Sequence, residues 1–87
     1  MDLANFEEMP TVLIESGFRF FFYSSEGNEP VHIHVTKGDA EGKIWLEPHF
    51  QPAYMHGFTP AEGKKVITVA EKNKMYFKKR WHEHFNQ

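Results

Sequence analysis

Apolar and polar residues alternate in three consecutive runs of the chain, each with the two-residue period of a β-strand. In Phe18 to Ser24, FRFFFYS, the set Phe18, Phe20 and Phe22 falls on one side and Arg19, Phe21 and Tyr23 on the other. Val31 to Thr36 sets Val31, Ile33 and Val35 against His32, His34 and Thr36; Ala40 to Glu47 sets Ile44 and Leu46 against Glu41, Lys43, Trp45 and Glu47. A shorter β-rich run, Thr11 to Glu15, precedes them and ends in the turn chemistry of Ser16-Gly17. The links are short: SSEGNEP holds Gly27, Asn28 and Pro30, and Lys37-Gly38-Asp39 reads as a tight turn. Sequential strands with short links predict an antiparallel meander.

The pattern then changes. Pro48 to Phe58, PHFQPAYMHGF, carries Pro48, Pro52 and Gly57 and is expected to be irregular, leading the chain off the sheet. Thr59-Pro60-Ala61-Glu62 is a helix start: Thr59 can cap, Pro60 suits the first helical position, and Glu62 completes a capping box. No proline or glycine follows Gly63, so one helix is expected to run to about His84, with Val66, Ile67, Ala70, Phe77 and Trp81 as its apolar stripe and Asn73 as a polar interruption. Such a helix is roughly 35 Å long, whereas a seven-residue strand covers about 23 Å. Its last turns must therefore overhang the sheet, bend, or meet a partner. The expected architecture is α+β: an antiparallel meander of three to four strands with one long C-terminal helix packed on one face. Residues 1–8 read as an acidic, flexible leader and residues 9–87 as a single domain.

Composition narrows the class without changing that picture. The 87 residues are 40% hydrophobic and 25% charged, as in a globular domain, and suffice for one small core. With no cysteine, disulfides and thiolate metal sites are excluded. No apolar run approaches a membrane span, and the N-terminus lacks signal-peptide patterning, so a cytoplasmic protein with no membrane partner is expected. A net charge of −2 speaks against a dedicated nucleic-acid binder, although local patches can still be basic. Nine Phe, three Tyr and two Trp exceed what a core this size needs, which leaves aromatics for a surface.

The candidate chemistry lies on the more polar set of the strands, a face that one helix cannot cover. PVHIHV puts His32 and His34 on that face, flanked by Arg19, Phe21 and Tyr23 on one side and Lys43 and Trp45 on the other. Metal-independent cleavage of RNA needs a base, an acid and cations around the phosphorane, and these residues can fill the roles. His32 and His34 are the candidate base and acid, with Tyr23 orienting the phosphate. Arg19 and Lys43 are candidate phosphate ligands, and Phe21 and Trp45 are candidate base-stacking surfaces. Two histidines at i and i+2 on a strand can also share a metal ion, but a third ligand would have to come from Glu41, Glu47, His49 or His56, whose spacing does not demand it. No metal or other cofactor is therefore assigned. A purely structural role for the histidines is a further reading. His82 and His84 in WHEHF cannot chelate together on a helix, because i and i+2 point about 200° apart.

Taken as a set, MPTV, GFRFFFYS, EPVHIHV, KGDAEGKIWLEP, Gly57-Phe58 and WHEHF resemble the bacterial family called domain of unknown function 4160. The resemblance implies one member of a toxin–antitoxin pair, with an antitoxin-like protein as partner and ribonuclease activity as the candidate function. The residues of that pattern with functional chemistry are Arg19, Tyr23, His32, His34 and Lys43. The alternatives are a non-enzymatic module that binds protein or nucleic acid, such as an operon regulator, and a histidine-based metal-binding protein.

Overall fold

The alternating runs pair in the order in which they occur. A computed structural model describes residues 10–85 and shows a five-stranded sheet, β1 (Thr11–Glu15), β2 (Phe18–Phe21), β3 (His32–Lys37), β4 (Ala40–Trp45) and β5 (Gln51–His56), every neighbouring pair antiparallel. Two helices follow, α1 (Pro60–Lys72) and α2 (Lys74–Phe85). The fold is α+β, as the periods predicted. The expected acidic leader lies outside the described residues.

Two expectations are corrected. The segment expected to leave the sheet contains the fifth strand: Tyr54 and His56 pair with Lys43 and Glu41, and Met55 lies opposite Gly42. Pro52 is accommodated because β5 is an edge strand and because the register shifts between Lys43 and Ile44, next to the Ile44–Pro52 pair. The single long helix is instead two. Asn73 takes φ −105° and ψ 11°, and its side-chain amide donates to the Val69 carbonyl at 2.8 Å. A polar side chain that competes for a carbonyl one turn back interrupts the helix locally. The chain resumes at once, with Phe77 N–H donating to Asn73 O at 2.9 Å.

The start of α1 follows the local code: Thr59 Oγ1 accepts from Glu62 N at 3.1 Å, and Glu62 Oε1 accepts from Thr59 N at 2.9 Å. The helices cover the apolar face of the sheet. Phe18, Phe20, Phe22, Val31, Ile33, Val35, Ile44 and Leu46 are all buried there, with Val66, Val69, Ala70, Phe77 and Trp81 from the helices. Phe20 meets Phe77 with ring centroids 5.2 Å apart, and Trp81 meets Phe22 at 5.6 Å, so α2 is anchored on β2 and the residue just beyond it. Among the described residues, no helix is long and apolar enough to cross a membrane.

The β2–β3 link decides what happens on the other face. After Tyr23 the chain forms a 3-10 turn, Ser24–Glu26, closed by Glu26 N–H donating to Tyr23 O at 3.1 Å. The end of α2 holds this turn: His84 Nε2 lies 2.9 Å from Ser24 Oγ, and the Phe85 ring sits where a Cβ on Gly27 would collide with it. Glycine at 27 is thus required by close approach. It lets the link lie against the helix end.

Candidate functional site

The sheet register brings one row of side chains straight across four strands. Phe21 pairs with His34, His34 with Lys43, and Lys43 with Tyr54. At 4.7 to 4.9 Å per strand the row is roughly 14 Å long. A second row runs Arg19, Thr36, Glu41 and His56, and His32 pairs with Trp45 at the end of β3. The residues singled out by alternation therefore do share a face.

That face is less open than its sequence suggests. His32 is 0% exposed, His34 5% and Phe21 6%. The β2–β3 link supplies the cover: Glu26, in its 3-10 turn, lays one carboxylate oxygen, Oε1, 2.7 Å from His32 Nε2 and 2.8 Å from His34 Nε2. Glu26 was not among the candidate residues. Its only sequence signal is a carboxylate in the short link that leads into the histidine strand.

Aromatic rings fix both imidazoles. His32 is contacted edge-on by Trp45 at 5.4 Å, Trp81 at 4.8 Å and His34 at 5.1 Å. His34 stacks on Phe21 at 5.5 Å and meets the Tyr23 ring at 4.7 Å. His32 Nδ1 lies 2.9 Å from the Pro30 carbonyl oxygen. A carbonyl only accepts, so Nδ1 carries a proton and His32 Nε2 is the atom turned to Glu26.

The cations are placed but engaged. Lys43 Nζ donates to Glu29 Oε1 at 2.8 Å and lies 4.3 Å from the centre of the Trp45 ring. The Arg19 guanidinium lies 4.5 Å from the centre of the Phe21 ring, and its Nε donates to Thr11 Oγ1 at 2.7 Å. Each cation is thus paired with the aromatic proposed to stack beside it. Burial raises the Tyr54 phenol above its ordinary value, and the negative charges of Glu41 and Glu26 add to the effect, so Tyr54 presents a protonated hydroxyl.

Burial and the Glu26 hydrogen bonds together set the two resolved shifts at the centre. Burial lowers the His34 pKa by disfavouring the imidazolium, an effect that the hydrogen bond and charge of Glu26 offset only in part. For Glu26 burial acts to raise the pKa, but the hydrogen bonds to His32 and His34 outweigh it and the net shift is downward. Both folded values lie below the unfolded ones, so the unfolded chain takes up protons first as pH falls. The stability tied to His34 is complete above its ordinary value of 6.5 and is lost as pH falls through its lower folded value. That tied to Glu26 is lost below about 4.5 in the same way. In metal-free buffer the melting temperature is therefore expected to fall from pH 7 to pH 5, and less so in His34→Phe; a flat wild-type profile over that range would refute the burial effect.

A profile of the family described as Domain of unknown function (DUF4160) matches residues 17–82. The chain belongs to this family. The DUF4160 match takes in every residue of the centre, from Arg19 and Glu26 through His32, His34 and Lys43, together with Trp81. It begins after β1 and ends before His84 and Phe85, which hold the β2–β3 link. No curated protein and no solved structure matches the chain.

Proposed function

We propose that this DUF4160 protein is the toxin-like component of a two-protein toxin–antitoxin pair and that it engages RNA through the row Phe21, His34, Lys43 and Tyr54. The observation that supports the reading is the row itself, in which the antiparallel register aligns an aromatic, an imidazole, an ammonium and a phenol. Single-stranded RNA is recognised by stacking on exposed rings and by cations along its backbone; the half-buried Trp45 beside Lys43 supports both, whereas Phe21, 6% exposed, has to be uncovered before it can stack.

Cleavage by His32 and His34, with Tyr23 orienting the phosphate, belongs to the same reading. It requires Glu26 to release an imidazole, because both Nε2 atoms are turned onto its Oε1. Of the two, His34 keeps slight exposure, 5% against 0% for His32. The partner in the pair is an antitoxin-like protein.

Fluorescence anisotropy with a labelled single-stranded RNA tests the binding step. Affinity is expected to fall with salt, Lys43→Met to lessen the slope of log K against log salt by about one, and Tyr54→Ala to weaken binding by about 1–3 kcal/mol. Salt-independent binding, or none at micromolar protein, would sink the reading. Co-purification with the product of the neighbouring gene tests the pairing.

A further inference from the structure

The geometry points to Glu26, His32 and His34 as a binding site for one divalent first-row transition ion of the zinc type. This site stands on its own observations and does not depend on RNA binding; with an ion bound both Nε2 atoms are ligands, so acid–base cleavage by the two histidines applies to the metal-free chain alone. One atom from each residue lies within 4.8 Å of the other two. Two imidazole nitrogens and one carboxylate oxygen form a donor set suited to zinc, with at least one coordination position left for water or a substrate oxygen. Glu26 is the third ligand that the HxH spacing alone did not identify.

The hydrogen bonding shows the same convergence. His32 Nδ1 is committed to the Pro30 carbonyl, so in the neutral ring the lone pair is on Nε2. That lone pair faces an oxygen of an ionised carboxylate at 2.7 Å. A proton on Nε2 or a metal ion can occupy the space between them. Without an ion each Nε2–H can donate to Oε1, which has two lone pairs, and His34 Nε2 converges on that oxygen at 2.8 Å. An ion joins all three. Ligand atoms around a tetrahedral ion at 2.0–2.1 Å are about 3.3 Å apart, so the carboxylate needs to withdraw by roughly half an ångström to admit it.

The surroundings are those of a metal site. The bond from His32 Nδ1 to a backbone carbonyl is the outer contact that orients a ligating histidine and selects its tautomer. Trp45, Trp81, Phe21 and Tyr23 hold the ring planes. The Glu26 side chain retains 18% exposure, which gives the ion an entry path.

The test uses the full chain, stripped with chelator and dialysed. Titration with Zn2+ by calorimetry is expected to show one ion per chain, and Co2+ in its place to give visible d–d absorption. Glu26→Gln, which keeps an acceptor oxygen beside both imidazoles, and His34→Ala are each expected to lose about a hundredfold or more in Zn2+ affinity. His49→Ala and His56→Ala, at exposed histidines, are expected to change it less than twofold. Circular dichroism identifies any variant that has failed to fold, and for such a variant the ring resonances of His32 and His34 in the wild type give the answer: both must shift on addition of one equivalent of Zn2+. Absence of stoichiometric binding by the wild type, binding retained in folded Glu26→Gln, or binding lost in His49→Ala or His56→Ala would overturn the assignment. None of these measurements involves RNA, so failure of the metal site and failure of the RNA reading are separable.

Discussion

Replacing Trp81 with alanine is expected to cost about 3–5 kcal/mol of folding stability, the range for truncating a large buried aromatic. Trp81 is 0% exposed and is the largest of the fully buried side chains. Its ring packs against Phe22, against Phe85 at 4.3 Å and against His32 at 4.8 Å, so a single side chain ties α2 to the core, to its own C-terminal turn and to the buried imidazole. The cavity cannot be filled cheaply, because rigid rings line several of its sides. A domain of this size has a total stability near the low end of about 5–15 kcal/mol. The loss therefore corresponds to a fall in melting temperature of more than about 12 °C, at about 4–8 °C per kcal/mol. Urea denaturation followed by circular dichroism measures it. A cost below about 1 kcal/mol would show that the helix end is not anchored through this ring.

Glu26→Ala is expected to be the next most damaging change, because it leaves His32 and His34 without the oxygen that both share. An orphaned buried polar group costs about 1–3 kcal/mol. The diagnostic result is a partial rescue. Adding His32→Leu and His34→Phe to Glu26→Ala removes the orphaned nitrogens along with the missing oxygen, so the triple variant is expected to be more stable than Glu26→Ala alone. Contacting residues are non-additive in this way, whereas distant ones add. The comparison belongs in metal-free buffer, where the ion makes no contribution. If the three substitutions simply sum, the Glu26 carboxylate is not what satisfies the two imidazoles.

Much of the scaffold was legible because its signals are local. The alternation in FRFFFYS, VHIHVT and AEGKIWLE assigned the buried set correctly, since side-chain direction in a strand depends only on parity. Thr59, Pro60 and Glu62 marked the helix start because a capping box closes within four residues. The fifth strand was not legible: Pro52 argues against a strand in isolation, and only the bulged edge position opposite Ile44 makes it tolerable. The helix break at Asn73 was visible as a polar interruption, but its geometry follows from the amide reaching the Val69 carbonyl.

By itself the sequence determined that His32 and His34 share a face with Arg19, Phe21, Lys43 and Trp45, because strand parity and the order of a meander require it. It left that face open to solvent. Only the tertiary structure decided that Glu26 closes over the two histidines, because the path of the β2–β3 link is set by contacts remote in the chain. Ser24 meets His84 across 60 residues, and Gly27 accepts the Phe85 ring that the packing of Trp81 brings within reach. A pair of strand histidines becomes a three-residue centre through that packing, which no local pattern encodes.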